Sequence, residues 1–129
     1  MDISVYEYDD AEFNHSHEYL APALLNVLEK YLRGKKVGLF DFGCGNGSTA
    51  NFLFSNGYTV SGVDPSLEGI RHANEKYPFL GLELGHSGDN LQTRFGTFDF
   101  IYSLEVIEHV FDPYAFIQDI RLILNPDGY

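Results

Sequence analysis

Two hydrophobic periods alternate along the chain. From Tyr19 to Leu32 the period is helical, with Leu20, Leu24, Val27, Leu28 and Tyr31 on one face and Gly34 placed to end the helix. The apolar run Val37 to Phe40 then reads as a short buried strand. Past a group of glycines, helical character returns at Ser48 and runs to about Ser55, where Asn56-Gly57 supplies a stop. Tyr58 to Asp64 is alternating and β-branched, a second strand. Pro65-Ser66 opens another helix, through Ile70 and Ala73 to about Tyr77, and Pro78 stops it. Leu80 to Leu84 is a short third strand, 85–96 a polar loop, and Phe98 to Ser103 a fourth strand apolar enough to be central. Asp112-Pro113 starts a last helix with Phe116, Ile120 and Ile123 on its buried face, and Asn125 to Gly128 is a turn. Strands alternating with helices predict an α/β fold with a mainly parallel sheet and right-handed crossovers. Residues 1–18 are polar and acidic and are expected to form an irregular or partly helical lead-in to a single domain.

Composition narrows what such a domain does. With 129 residues, 44% hydrophobic and 16% aromatic, there is room for one domain with a moderate core. A net charge of −11 argues against binding a nucleic-acid backbone or an anionic membrane. One cysteine, Cys44, rules out an internal disulfide and a Cys-rich zinc site. No apolar run is long enough to span a bilayer, and the amino terminus lacks the pattern of a signal peptide, so a cytoplasmic protein is expected. His15 and His17 lack a partner pattern for a metal and read as surface residues.

The chemistry concentrates between the first strand and the following helix. Asp41-Phe-Gly-Cys-Gly-Asn-Gly47 places glycines at 43, 45 and 47. Glycine allows a sharp turn and close approach of a ligand to the backbone, and the next helix offers its amino end. Strand, glycine loop and helix place a ligand at the carboxyl edge of a parallel sheet. The dinucleotide fingerprint is G-x-G-x-x-G, whereas this loop is G-x-G-x-G with an acid two residues upstream. A pyrophosphate would be repelled by Asp41; a cationic ligand would be attracted. Asp64 ends the next strand, where an acid commonly grips a ribose diol. It also stands where a helix cap would, a task that Ser66 could share.

Four segments together resemble the class I S-adenosylmethionine-dependent methyltransferases, in particular the ubiquinone-biosynthesis O-methyltransferase type. They are the Asp41 to Gly47 loop, Val63-Asp64, Phe98-Asp-Phe-Ile-Tyr-Ser-Leu-Glu-Val-Ile-Glu-His-Val110 and the closing Leu124-Asn-Pro-Asp-Gly128. The resemblance covers roughly residues 20–129 and keeps the motifs in order. In the last segment Asp127 replaces the family's first glycine.

The resemblance implies a Rossmann-like three-layer sandwich and S-adenosylmethionine as cofactor, with S-adenosylhomocysteine as product. Gly43, Cys44, Gly45 and Gly47 would line the methionine end, Asp41 would lie near the ammonium, and Asp64 with Pro65 would hold the ribose. Asp89 is the choice for the adenine amino group, with His86 as alternative; a plain turn beside Gly88 is the bland reading of Asp89. Leu104 and Glu105 would cover the cofactor and face the methyl acceptor. His109 and Glu105 are the catalytic candidates, His109 as a base or an orienting group. If this segment is helical, Glu105, Glu108 and His109 point one way and suit a divalent ion, the lesser reading because no later histidine exists. Cys44 reads as a small side chain filling a tight loop rather than as a nucleophile.

The resemblance also implies seven strands, and this chain stops where the fifth would begin. The expectation is a shortened methyltransferase domain acting on a small-molecule acceptor, with impaired turnover. The alternatives are a non-catalytic binding module and a nicotinamide dinucleotide oxidoreductase. A fourth strand left as an apolar edge would invite a homodimer.

Overall fold

Strands β1 (Gly38–Phe42), β2 (Thr59–Asp64), β3 (Gly81–Leu84) and β4 (Phe100–Tyr102) form one sheet in the order β3-β2-β1-β4. Every pairing is parallel. β1 lies inside the sheet, and its Leu39, Phe40 and Phe42 have no exposed surface, as expected of a strand covered on both faces. The computed structural model describes residues 15–104 and 106–129.

The helices are α1 (His15–Leu32), α2 (Ser48–Ser55), α3 (Leu67–Lys76), α4 (Leu91–Phe95) and α5 (Pro113–Ile123). Alternation along β1 separates two cores. Leu39 joins Leu24, Leu28, Leu53 and Ile70 from α1, α2 and α3. Phe40 and Phe42 join Leu91, Phe116 and Ile123 from α4 and α5. The result is helix, sheet, helix in three layers. The chain leaves β1 towards β2 and β3, then returns to the other side of β1 as β4. This reversal is a topological switch point, which opens a crevice at the carboxyl ends of β1 and β4.

Several boundaries differ from the sequence expectations. α1 begins at His15, inside the segment expected as lead-in; residues 1–14 lie outside the described residues. Its buried stripe is Ala21, Leu24, Leu28 and Leu32, while Val27 and Tyr31 are 41% and 42% exposed. The stripe is rotated towards Ala21 and Leu32, with Leu24, Leu28 and Leu32 joining the core that contains Leu39. β1 extends through Asp41 and Phe42, so the acid belongs to the strand. The loop 85–96 contains α4, only five residues long and too short to show a period, held by the buried Leu91.

β4 is an end strand, as its place in the expected fold required, but its outer side is not bare. Ile101 N donates to Tyr129 O at 2.9 Å and Tyr129 N to Asp99 O at 2.9 Å. Asn125 N donates to Phe98 O and Phe98 N to Ile123 O, so the turn after α5 lies along the start of β4. The expected open edge is therefore narrowed by the chain itself.

Candidate functional site

Asp41 sits near the carboxyl end of β1 with Gly62 of β2 and Tyr102 of β4 as its register partners. It is 3% exposed, on the same face of the sheet as Leu39. A Cβ at Gly62 would come within 2.5 Å of the Asp41 carbonyl oxygen and 3.0 Å of its Cβ, so the bare backbone at 62 makes room for the acid. Burial raises the Asp41 pKa to about 8; the nearby Tyr102 hydroxyl opposes the shift, and the Asp64 carboxylate adds to it. Tyr102 Oη stands close enough to favour the charged form but makes no formed hydrogen bond.

Asp64 ends β2, 6% exposed. Oδ2 accepts from Gly45 N at 2.9 Å and Oδ1 from Ser66 N at 2.8 Å. One carboxylate thus fastens the glycine loop to the start of α3. Each oxygen keeps a lone pair for another donor. Burial raises its pKa, and these two backbone N–H groups oppose the rise. Ser66 is the actual helix cap, its Oγ accepting from Gly69 N at 3.0 Å. The two tasks weighed for Asp64 are therefore divided: Ser66 caps α3, and Asp64 ties loop to loop while keeping free acceptor capacity.

The glycine loop is shaped by three left-handed residues, Gly43 at φ +98°, Gly45 at +56° and Gly47 at +85°. At Gly43 a side chain would collide with Val106, which seals that side of the loop. At Gly47 it would meet Leu82, Ala73 and Tyr77 at 3.0 to 3.2 Å. The missing side chain at Gly47 therefore faces the α3–β3 core, and close packing of helix on strand demands it. Cys44 is a free, buried thiol among the core side chains, its pKa raised by burial and by Asp41 and Asp64. That suits a small filling residue and not a nucleophile. Pro65 is half-buried beside Asp64.

Among the described residues no cation pairs with Asp41 or Asp64. Burying carboxylates without partners is costly. Thr49 Oγ1, in the first turn of α2, and Tyr102 Oη are buried without hydrogen-bond partners. Acids without a cation among the described residues, and two orphaned hydroxyls, on the elements around the loop fit a ligand that brings a cationic group and hydroxyls.

The remaining candidates lie to either side. Asp89 is held by His86 and Arg94, with His86 Nε2 3.3 Å from Oδ1 and Arg94 Nη1 3.3 Å from Oδ2. Leu104 is half-buried and packs on the core that contains Cys44 and Tyr102. Glu105 lies outside the described residues. The segment beyond it forms one 3-10 turn, Ile107–His109, rather than the α-helix needed to align positions 105, 108 and 109. His109 Nε2 is 3.7 Å from Glu108 Oε1, with the His109 side chain 37% exposed. No cluster of three or more metal-ligating side chains occurs among the described residues.

Sequence reasoning missed Tyr102, Gly62, Val106 and Arg94. A glycine inside a strand is a signal of close backbone approach and could have found Gly62. The other three are set by register and loop path.

A parallel sheet with a glycine loop at its switch point and an acid at the carboxyl end of each of its two inner strands has the layout of an α/β domain that binds at its sheet edge. The family described as "Methyltransferase domain" matches residues 13–129, and the chain belongs to it. The chain is 35% identical over 127 residues to the ubiquinone biosynthesis O-methyltransferase of Vibrio parahaemolyticus serotype O3:K6, covering 93% of this chain and 53% of that protein. The Thiobacillus denitrificans enzyme of the same name is 32% identical over 126 residues, with the same coverage. The chain spans about half the length of these curated relatives. Among solved structures, magnesium protoporphyrin IX methyltransferase from Synechocystis PCC 6803 with bound SAH superposes with a TM-score of 0.72 at 19% identity, over 92% of this chain and 59% of that one. The PH0226 protein from Pyrococcus horikoshii OT3 gives 0.71 at 25% identity, over 89% and 56%. The α/β Rossmann-like fold is thereby shared.

Proposed function

We propose that this chain is the cofactor-binding part of an S-adenosylmethionine-dependent methyltransferase that acts on a small-molecule acceptor. The observation that carries the reading is the pair of buried acids flanking the glycine loop, neither of which meets a cation among the described residues. Asp41 keeps its proton up to about pH 8 in the protein alone and gives it up when the ligand's cationic amino-acid end comes to face it. Asp64, already fixed by Gly45 N and Ser66 N, accepts from ribose hydroxyls with its remaining lone pairs. Leu104, packed on the core that holds Cys44, and Val106, set against Gly43, are proposed to border the reacting edge with apolar surface. When bound, S-adenosylmethionine supplies a methyl group on a sulfonium, a leaving group that needs no covalent enzyme intermediate. The protein's own contribution is alignment. His109 is proposed to take the acceptor's proton, and Glu105 to face the acceptor beside it.

Calorimetry with S-adenosylhomocysteine tests the reading, repeated with Asp64→Ala. Binding by the wild type and its loss in the variant support it; equal affinity in both overturns the ribose assignment. Because the chain spans about half of its relatives, a binding module without turnover is the second reading. Methyl transfer to any phenolic or amine acceptor decides between the two. A cytoplasmic location and a homodimer through the uncovered part of β4 complete the proposal, and a monomeric solution mass at low concentration removes the dimer.

A further inference from the structure

The loop after β3 is folded back by a clasp. Asp89 N donates to His86 O at 3.2 Å, and His86 N donates to Asp89 Oδ2 at 3.1 Å. Arg94, reaching back from α4, places Nη1 3.3 Å from Asp89 Oδ2 and Nη2 2.9 Å from Leu84 O, with Glu83 Oε1 at 3.4 Å. One guanidinium fork thus joins the end of β3, the loop and α4. Gly85 leaves space for the fork, since a Cβ there would lie 2.7 Å from Nη1. Gly85 N also donates to Asp64 O at 3.1 Å, so the clasped loop is fastened to the residue assigned to the ribose.

Taken across the sheet edge, the order is glycine loop over β1, Asp64 at β2 and the clasped loop at β3. A nucleoside whose ribose lies at Asp64 carries its base onto that loop. We propose that Arg94 is a positioning residue for base recognition: through Asp89 it holds loop 85–90 in the one shape that discriminates the base. This rests on the cofactor reading above. A planar fork using two nitrogens on different partners is not replaced by the point charge of lysine.

The test is calorimetry with S-adenosylhomocysteine and S-inosylhomocysteine, in which an oxo group replaces the base amino group. Wild type, Arg94→Gln, Arg94→Lys, Asp89→Asn and the Arg94→Gln/Asp89→Asn double variant are compared. The wild type is expected to prefer the adenine ligand by about tenfold or more, the scale of one discriminating hydrogen bond. Arg94→Gln is expected to reduce that preference to within about twofold, and Arg94→Lys not to restore it. The double variant is expected to lose no more than Asp89→Asn alone, the signature of coupled residues. A merely structural role would weaken both ligands equally, so an unchanged preference in Arg94→Gln overturns the proposal. Wild-type protein that binds neither ligand overturns the cofactor reading as well, which separates the two failures.

Discussion

Two sets of acids stand at the carboxyl edge of one sheet and are treated in opposite ways. Asp41 and Asp64 are nearly inaccessible and, among the described residues, have no cation beside them. Asp89 is partly exposed, and its carboxylate is shared between His86 and Arg94. An exposed pair contributes little to stability, but it sets the path of a loop. A buried, unpaired carboxylate is destabilising and persists only where something else benefits from it. The difference teaches where to test for ligand: the two buried acids, of which Asp64 is held only by backbone N–H groups, are the proposed cationic and ribose ends, and the ion-paired Asp89 belongs to the frame.

The sharpest way to break this contrast is pH. Folded Asp41 holds its proton up to about pH 8, whereas in the unfolded chain it titrates near pH 4. Between those values the folded state binds more protons than the unfolded state, so stability falls as pH rises. The contribution is complete below about pH 4 and is lost as pH passes the folded pKa. Its span is on the order of 5 kcal/mol as an upper figure. Asp64 shifts in the same direction. Denaturant unfolding at pH 5 and pH 8.5 should show lower stability at the higher pH, and Asp41→Asn should flatten most of the difference. A slope of opposite sign would mean that Asp41 is paired.

Next in size is the space that Asp41 requires. Gly62→Ala drives a Cβ against the Asp41 backbone, an overpacking that costs about 3 kcal/mol. The expected result is a lower unfolding midpoint together with weakened S-adenosylhomocysteine binding. Asp64→Ala follows, expected to lower that affinity about 100-fold, near 3 kcal/mol; calorimetry reads it. The smallest effect belongs to the satisfied acid. Arg94→Gln should change the stability of the empty protein by less than about 1 kcal/mol, measured by thermal unfolding, because its ion pairs are exposed. A large loss there would place Arg94 in the core of the fold and erase the contrast.

Much of this was legible in the residues. The strand at 37–40, the glycine loop, the second strand ending in Asp64 and the cap at Asp112, whose Oδ1 accepts from Ala115 N at 3.1 Å, all follow from local chemistry. The order of glycine loop and acid placed Asp41 and Asp64 at the carboxyl ends of adjacent strands, where the structure has them. What was not legible depended on contacts between distant residues. α4 is five residues long and is held by one buried leucine, so no period announces it. The buried face of α1 differs from the one expected because helical spacing gives a stripe but not its centre, which tertiary packing selects: Ala21 and Leu32 are buried while Val27 and Tyr31 are exposed. The aligned triad at 105, 108 and 109 assumed a helix; Glu105 lies outside the described residues, and Ile107–His109 makes a 3-10 turn.

The sequence by itself determined the order of elements, the parallel sheet and the place of two acids at the ends of adjacent strands, because period, glycine and cap are properties of neighbours along the chain. Only the tertiary structure decided that Asp41 lies between Gly62 and Tyr102, that Asp64 ties two loops together, and that Asp89 is already engaged. Those outcomes depend on strand register and burial. Both arise from residues far apart in sequence meeting in a medium that penalises bare charge, and no local pattern encodes that penalty.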